Sequence, residues 1–308
     1  MAMKIETFFY AIEIADTGSF SQAARNLYVS QPNLSHAIRQ LEEKSGIQIF
    51  TRSSSGVVPT PEGRELIDRF RMIKREYEQV EELMASPIRQ TRLTLRVATL
   101  NCSRTMTAFA AIAERYVDSP INFSFLNYSS LDTLLPVVEK GQVDFAIIGT
   151  LSPYVKTVIN RLNNHSVEYH PLADAAVYAV VGPKNPLYHG PDNVRLRDLA
   201  PYVCIQYGSA EDAPTYSLNY ETGLNHIARG EIHVSNSQMF YSFVERTTIV
   251  GLVTGNPPSA PQRPDLGRTR RLLVEDCSIS AQFAWVKLRR MPLSDIAAEL
   301  LQMLTLYF

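Results

Sequence analysis

Ser19 and Ser30 each stand in front of a short amphipathic run, and only a few residues separate the runs: Ser19-Phe20-Ser21-Gln22-Ala23-Ala24-Arg25-Asn26-Leu27-Tyr28-Val29-Ser30-Gln31-Pro32-Asn33-Leu34-Ser35. Two helix starts this close together constrain the fold more than any other feature of the chain. Ser19 with Gln22 fits a capping box, in which each side chain satisfies a free backbone N–H at the other position. Phe20, Ala23, Ala24 and Leu27 then share one face. Ser30 can cap the second helix, with Pro32 in its first turn, where no N–H is needed. Leu34, Ile38 and Leu41 define its inner face, and Gly46 stops it. Upstream, Ile5, Phe8, Phe9, Ile12 and Ala15 form the apolar side of a helix ending near Gly18. The pattern predicts three helices, the last two joined by a turn of about three residues, as in a helix-turn-helix.

With Leu34 facing inward, Pro32, His36, Arg39 and Glu43 point away from the core, flanked by Asn33, Ser35 and Gln40. Gln31 lies in the first turn, where recognition helices reach base edges. Amide, hydroxyl, imidazole and guanidinium groups suit a reader of the major groove; the alternative is an ordinary solvated helix face. Next, Ile47–Arg52 alternates as a short strand, Ser53-Ser54-Ser55-Gly56 reads as a turn, and Val57-Val58-Pro59 as a return. Arg52 and the serines of this small wing could touch phosphates, or the segment is a plain surface hairpin.

From Phe8 to Gly63 the order GSFSQAARNLYVSQPNLSHAIRQLEEKSGIQIFTR, followed by PTPEG, closely resembles the N-terminal signature of LysR-type transcriptional regulators. The matching positions include Ser19-Phe20, Ala23-Ala24, Ser30-Gln31-Pro32, Ser35, Leu41-Glu42, Phe50, Arg52, Thr60 and Gly63. The resemblance implies an N-terminal, essentially all-α winged helix-turn-helix over residues 1–60. Its expected DNA contacts are Ser30, Gln31, Pro32, Asn33, Ser35, His36, Arg39 and Arg52. His36 stands where the family more often carries Arg or Lys, which bears on the preferred base. Pro59 replaces a usual aliphatic residue.

Thr60-Pro61-Glu62 reads as a helix start. Leu66, Phe70, Ile73, Tyr77, Val80 and Met84 then recur at alternating spacings of 4 and 3, a heptad seam. Residues 61–91 are therefore expected to form a linker helix and hinge. The seam either pairs with a second copy, as the family resemblance implies, or lies against the chain's own effector domain. A homodimer or homotetramer follows from the first reading.

From Leu93 onward strands alternate with helices, which predicts an α/β sheet. Val143–Ile148, a short apolar run ended by Gly149, is expected to form a buried parallel strand. Further strands are expected at 93–100, 121–125, 176–181, 202–206, 231–234, 249–254, 271–274 and 283–288, with a last helix over 294–307. Ligands of such sheets sit beyond the carboxyl ends of strands, at helix N-termini. Asn101, Cys102, Ser103, Ser129, Thr150, Gln206, Asn236 and Ser237 occupy such positions. By the family's likeness to periplasmic binding proteins, residues 92–308 form an effector-binding domain of two lobes. These are 92–165 plus 268–308, and 166–267. Short polar side chains there suit a small organic anion, or serve only as helix caps. The run Arg246–Gly251 departs from the glycine-rich segment usual at that place.

Composition closes off other classes. The chain has 308 residues and a net charge of −1, so bulk charge does not advertise a polyanion partner. Residues 1–60 balance Lys4, Arg25, Arg39, Lys44 and Arg52 against Glu6, Glu13, Asp16, Glu42 and Glu43, so DNA binding must rest on local placement. No apolar run approaches a membrane span, and the N-terminal stretch lacks a signal-peptide pattern; a cytoplasmic protein without a membrane partner is expected. The six histidines lack metal-ligand spacing, no G-x-S-x-G, phosphate loop or H-E-x-x-H occurs, and no enzyme activity, metal or cofactor is expected. Cys102, Cys204 and Cys277 are far apart and odd in number, which argues for reduced thiols over a disulfide framework. Cys102 and Cys204 leave open a redox-responsive regulator, against their being small buried hydrophobes. A solute-binding protein would explain residues 92–308 but not the first ninety or so.

Overall fold

The computed structural model describes residues 4–53, 56–85, 92–100, 102, 105–207, 217–255 and 268–306. The chain forms two compact units, Met1–Arg92 and Leu93–Phe308. In the first, helices α1 (Ile5–Thr17), α2 (Phe20–Asn26) and α3 (Gln31–Ser45) precede a two-stranded wing, β1 (Phe50–Ser53) and β2 (Gly56–Pro59), and the long helix α4 (Pro61–Ala85). Ser19 Oγ accepts the Gln22 N–H at 3.3 Å, and Ser30 Oγ accepts the Asn33 N–H at 3.3 Å. The capping box at Ser19 is only half made: Gln22 Oε1 accepts from Arg25 Nη2 at 2.8 Å, and the Ser19 N–H donates to Thr17 Oγ1 at 3.4 Å instead of to Gln22. Gly46 ends α3 with φ of 68°, a left-handed cap that glycine adopts without a Cβ penalty. Ala11, Ile14, Ala23, Leu34, Ile38 and Ile67 are fully or almost fully buried in one core. Gly63 lies so close to the Ile49 carbonyl that any Cβ would collide with it.

The wing differs from the expected strand at 47–52. The ladder begins at Phe50, paired with Pro59, and ends at Ser53, paired with Gly56. Ahead of it, the N–H groups of Ile49 and Phe50 donate to Glu42 Oε1 at 2.7 and 3.1 Å. The carboxylate of α3 thus takes the amides that a longer strand would have paired, fastening the wing to the helix.

The apolar stripe of α4 also departs from a single-purpose seam. Phe70 is 5% exposed and stacks on Phe8, centroids 4.4 Å apart. Tyr77 meets Phe9 edge-on at 5.6 Å, and Leu66 packs on the same core. Arg71 anchors the crossing to α1 through Asp16 at 2.6 Å. By contrast Ile73, Val80 and Met84 are 40%, 50% and 82% exposed. One edge of the stripe serves the unit's own core; the other edge and the far end stay open.

The second unit begins with β3 (Leu93–Leu100), α5 (Thr105–Arg115), β4 (Ile121–Tyr128), α6 (Leu131–Glu139), β5 (Phe145–Leu151), α7 (Val155–Asn164) and β6 (Val167–Val181). It continues with β7 (Asn193–Val194), α8 (Leu196–Leu199), β8 (Val203–Tyr207), α9 (Leu218–Glu221), α10 (Leu224–Ile227), β9 (Gly230–Val234), α11 (Ser237–Arg246) and β10 (Val250–Gly255). It ends with β11 (Arg270–Val274), β12 (Ala281–Leu288) and α12 (Asp295–Leu304). The strands run β4-β3-β5-β12-β6-β10-β8-β9, with β11 joined to β6 and β7. β3 pairs in parallel with β4 and β5, and β8 with β9 and β10, as helical crossovers require.

β6 belongs to both halves of this sheet. Val167–Ala175 pair antiparallel with β12, and Ala176–Val181 lie between β10 and β11. Expectation covered only 176–181. The first half reads Val-Glu-Tyr-His-Pro-Leu-Ala-Asp-Ala because it is an edge, paired along one side only. Pro171 falls opposite Ala284 at the register shift of β12, a position where a missing N–H is tolerated. Separate apolar clusters cover the two faces of each half, around Phe145 and Ile148 in the first and Cys204 and Phe240 in the second.

Candidate functional site

Helix α3 buries Leu34, Ile38 and Leu41 against the core and turns Gln31, Pro32, Asn33, His36 and Arg39 to the surface; Ser35 is half-buried at the edge. This outer face is ordered by pairs one helical turn apart. Gln31 Nε2 donates to Ser35 Oγ at 2.9 Å, leaving the Gln31 carbonyl and the Ser35 O–H for a partner. Gln40 Nε2 lies 2.9 Å from His36 Nε2. With the imidazole Nε2 as acceptor, the Gln40 amide nitrogen is the donor. Gln40 was legible only as a flanking residue; its spacing of four from His36 was the signal that tied the two. Ser30 Oγ accepts the Asn33 N–H at the helix cap. Arg52 sits in β1 opposite Val57.

The expected effector residues fall into two groups. Thr150, buried at the end of β5, lines a pocket with Leu100, Leu131 and Val158. Ser129 is exposed just beyond β4. Asn101 and Ser103 lie outside the described residues. Cys102 is buried in the core under α5, where its carbonyl accepts the Thr105 O–H at 2.7 Å. In the other half of the sheet, Gln206 is buried and already engaged: Ser217 donates to its carbonyl, and its nitrogen lies 3.2 Å from His233 Nδ1. Asn236 caps α11 by accepting the Met239 N–H at 2.9 Å, with Ser237 exposed beside it. Tyr154, after β5, donates its O–H to Glu221 of α9, tying one half of the sheet to the other. No local sequence pattern signals that contact, because 67 residues separate the two.

Burial raises the pKa of two of the three thiols. Cys204 is fully buried, and burial with the nearby Glu231 carboxylate pushes its pKa up to about 11. Its Sγ lies 3.3 Å from the Gly230 carbonyl. Burial likewise raises the Cys277 thiol. Among the described residues no group of three or more His, Cys, Asp or Glu side chains could hold a metal ion, and no helix is long and apolar enough to cross a membrane.

A winged helix-turn-helix with a polar outer face, followed by a separate α/β unit, defines a DNA-binding protein with a second, ligand-type unit. Comparison with known proteins agrees. The family model described as a bacterial regulatory helix-turn-helix protein, lysR family, matches residues 5–64, and that of the LysR substrate binding domain matches residues 89–307. The chain belongs to the LysR family of transcriptional regulators: it is a DNA-binding regulator with an effector-binding domain. It is 26% identical over 236 residues to a hydrogen peroxide-inducible genes activator of Pectobacterium carotovorum, spanning 74% of this chain and 78% of that protein. It is 30% identical over 165 residues to a nitrogen assimilation regulatory protein of Klebsiella aerogenes, spanning 52% and 53%. Its fold resembles a full-length OxyR variant of Pseudomonas aeruginosa, with a TM-score of 0.51, 19% identity, and coverage of 99% of this chain and 95% of that one.

Proposed function

We propose that the chain regulates transcription by reading a dyad-symmetric operator with α3 and by changing those contacts when a small organic anion binds between the two halves of its sheet. The observation that carries the reading is the outer face of α3: paired, exposed polar side chains directly over a buried Leu34–Ile38–Leu41 face. Gln31, Ser35, His36 and Arg39 read bases, while Arg52 in the wing contacts phosphate. Thr150 and Ser129 on one side, and Asn236 and Ser237 on the other, line the anion site. Gln206 supports that site through Ser217 and His233 rather than touching the ligand. Residues 92–165 plus 268–308 and residues 166–267 act as its lobes. A homodimer or tetramer assembles through the open edge of α4 at Ile73, Val80 and Met84. The regulator works in the cytoplasm and catalyses no reaction.

Selection of duplex DNA from a randomised pool by the purified chain, with and without pooled carboxylates, tests the reading. Enrichment of a palindromic site whose retention changes with carboxylate is expected; indifference to sequence would defeat it. A peroxide response, suggested by the name of the Pectobacterium relative, is disfavoured by the buried Cys204 thiol with its raised pKa, since thiolate is the reactive form.

A further inference from the structure

Tyr28, in the turn between α2 and α3, is 96% exposed, more than any other large apolar or aromatic side chain among the described residues. Its φ is 56°, the left-handed region where a Cβ crowds the following carbonyl and where glycine or asparagine is usual. The position closes α2: the Tyr28 N–H reaches the Arg25 carbonyl at 3.2 Å, and the Val29 N–H reaches Ala24 at 3.0 Å. A glycine would make both bonds without strain. The fold therefore has no use for this ring and holds it in an unfavourable backbone conformation, the kind of outlier that marks a functional position.

Arg25, three residues earlier, is also exposed. Its Nη2 donates to Gln22 Oε1 at 2.8 Å, Gln22 in turn donates to Asn26 at 2.8 Å, and Asn26 donates to Glu13 at 2.6 Å. The guanidinium is positioned by a neutral amide, and the carboxylate of Glu13 ends the chain on Asn26. Its positive charge is thus oriented without being neutralised. In helix-turn-helix docking the first helix crosses the DNA backbone while the second enters the major groove, so the turn between them runs past the phosphates of the groove wall.

We propose that Tyr28 and Arg25 form a phosphate-binding pair beside the recognition helix, the phenol donating its O–H to a phosphate oxygen and the guanidinium supplying charge. The inference rests on the DNA-binding reading and adds to it two contacts that carry no sequence information. The test is fluorescence anisotropy with the full chain, on a random-sequence duplex and on a duplex pool enriched by the wild type, across a salt series. Tyr28→Gly should melt no lower than the wild type yet bind both duplexes about tenfold more weakly, the scale of a lost hydrogen bond to a charged group. Tyr28→Phe keeps ring and backbone, so a similar loss assigns the effect to the hydroxyl. Arg25→Gln should reduce the slope of log affinity against log salt by about one. Wild-type affinity in both Tyr28 variants, or a loss confined to the enriched pool, overturns the phosphate role. A wild-type chain that binds neither duplex would instead sink the DNA-binding reading beneath it.

Discussion

Gln31 donates across one turn of helix to Ser35, and this pairing decides what the start of α3 offers a base edge. Gln31→Ala and Ser35→Ala should each cost about 1–3 kcal/mol on the preferred sequence, the scale of a lost base contact. Affinity for random DNA should hold; competition titrations read the difference, and an equal loss on both DNAs would remove Gln31 from base reading. Cys204 poses the opposite case, a reactive residue type silenced by its surroundings. With a thiol pKa of about 11, roughly one molecule in a thousand carries the thiolate at pH 8. Alkylation of the folded chain at Cys204 should therefore be slow, and Cys204→Ser should leave any peroxide response unchanged. The linkage has a definite sign. A folded-state pKa raised from 9.0 to about 11 stabilises the fold below pH 9 and loses that contribution as pH rises toward 11. The loss is on the order of 2–3 kcal/mol, and thermal melts of wild type against Cys204→Ala across that range should show it.

At the scale of elements, α4 divides one stripe between two tasks. Phe70→Ala should cost about 3–5 kcal/mol of stability in the Met1–Arg92 unit, because the ring is buried on Phe8. Ile73→Glu with Val80→Glu should leave melting nearly unchanged while sedimentation reports a smaller species. An unchanged assembly would place the contact between copies elsewhere. The heptad spacing announced an apolar stripe but could not divide it, since Phe70 and Ile73 differ in what lies beside them and not in sequence pattern. Strand β1 teaches a similar lesson. Alternation at Ile47–Ile49 looks like a strand, but a carboxylate seven residues away in sequence captures the Ile49 amide first. The opening half of β6 was illegible for the converse reason: an edge strand need not alternate, and Pro171 argues against a strand unless a bulge receives it.

For the whole molecule, two copies of α3 should read half-sites about 34–36 Å apart, or a multiple of that, as two-fold symmetry requires. Footprints that lack this spacing would count against a dyad. Thr150→Val should weaken the response to an anionic effector and leave DNA affinity without effector within about twofold, since it removes one donor from the end of β5 and a ligand shifts states only by its differential affinity. Calorimetry on the full chain reads the first, anisotropy the second. What residues 5–46 become was determined by the sequence itself. Ser19, Ser30, Gly46 and the inner face of α3 act within a few residues of their partners, so spacing alone carries them. The alternation of strands and helices after Leu93 was legible for the same reason. Only the tertiary structure decided which polar residues are available. Gln206 is spent on Ser217 and His233, Cys102 and Cys204 are sealed in apolar layers, and Tyr154 meets Glu221 across the sheet. Each depends on chain segments brought together by burial of apolar surface, a force that is non-directional and leaves no local signature in the residues it happens to enclose.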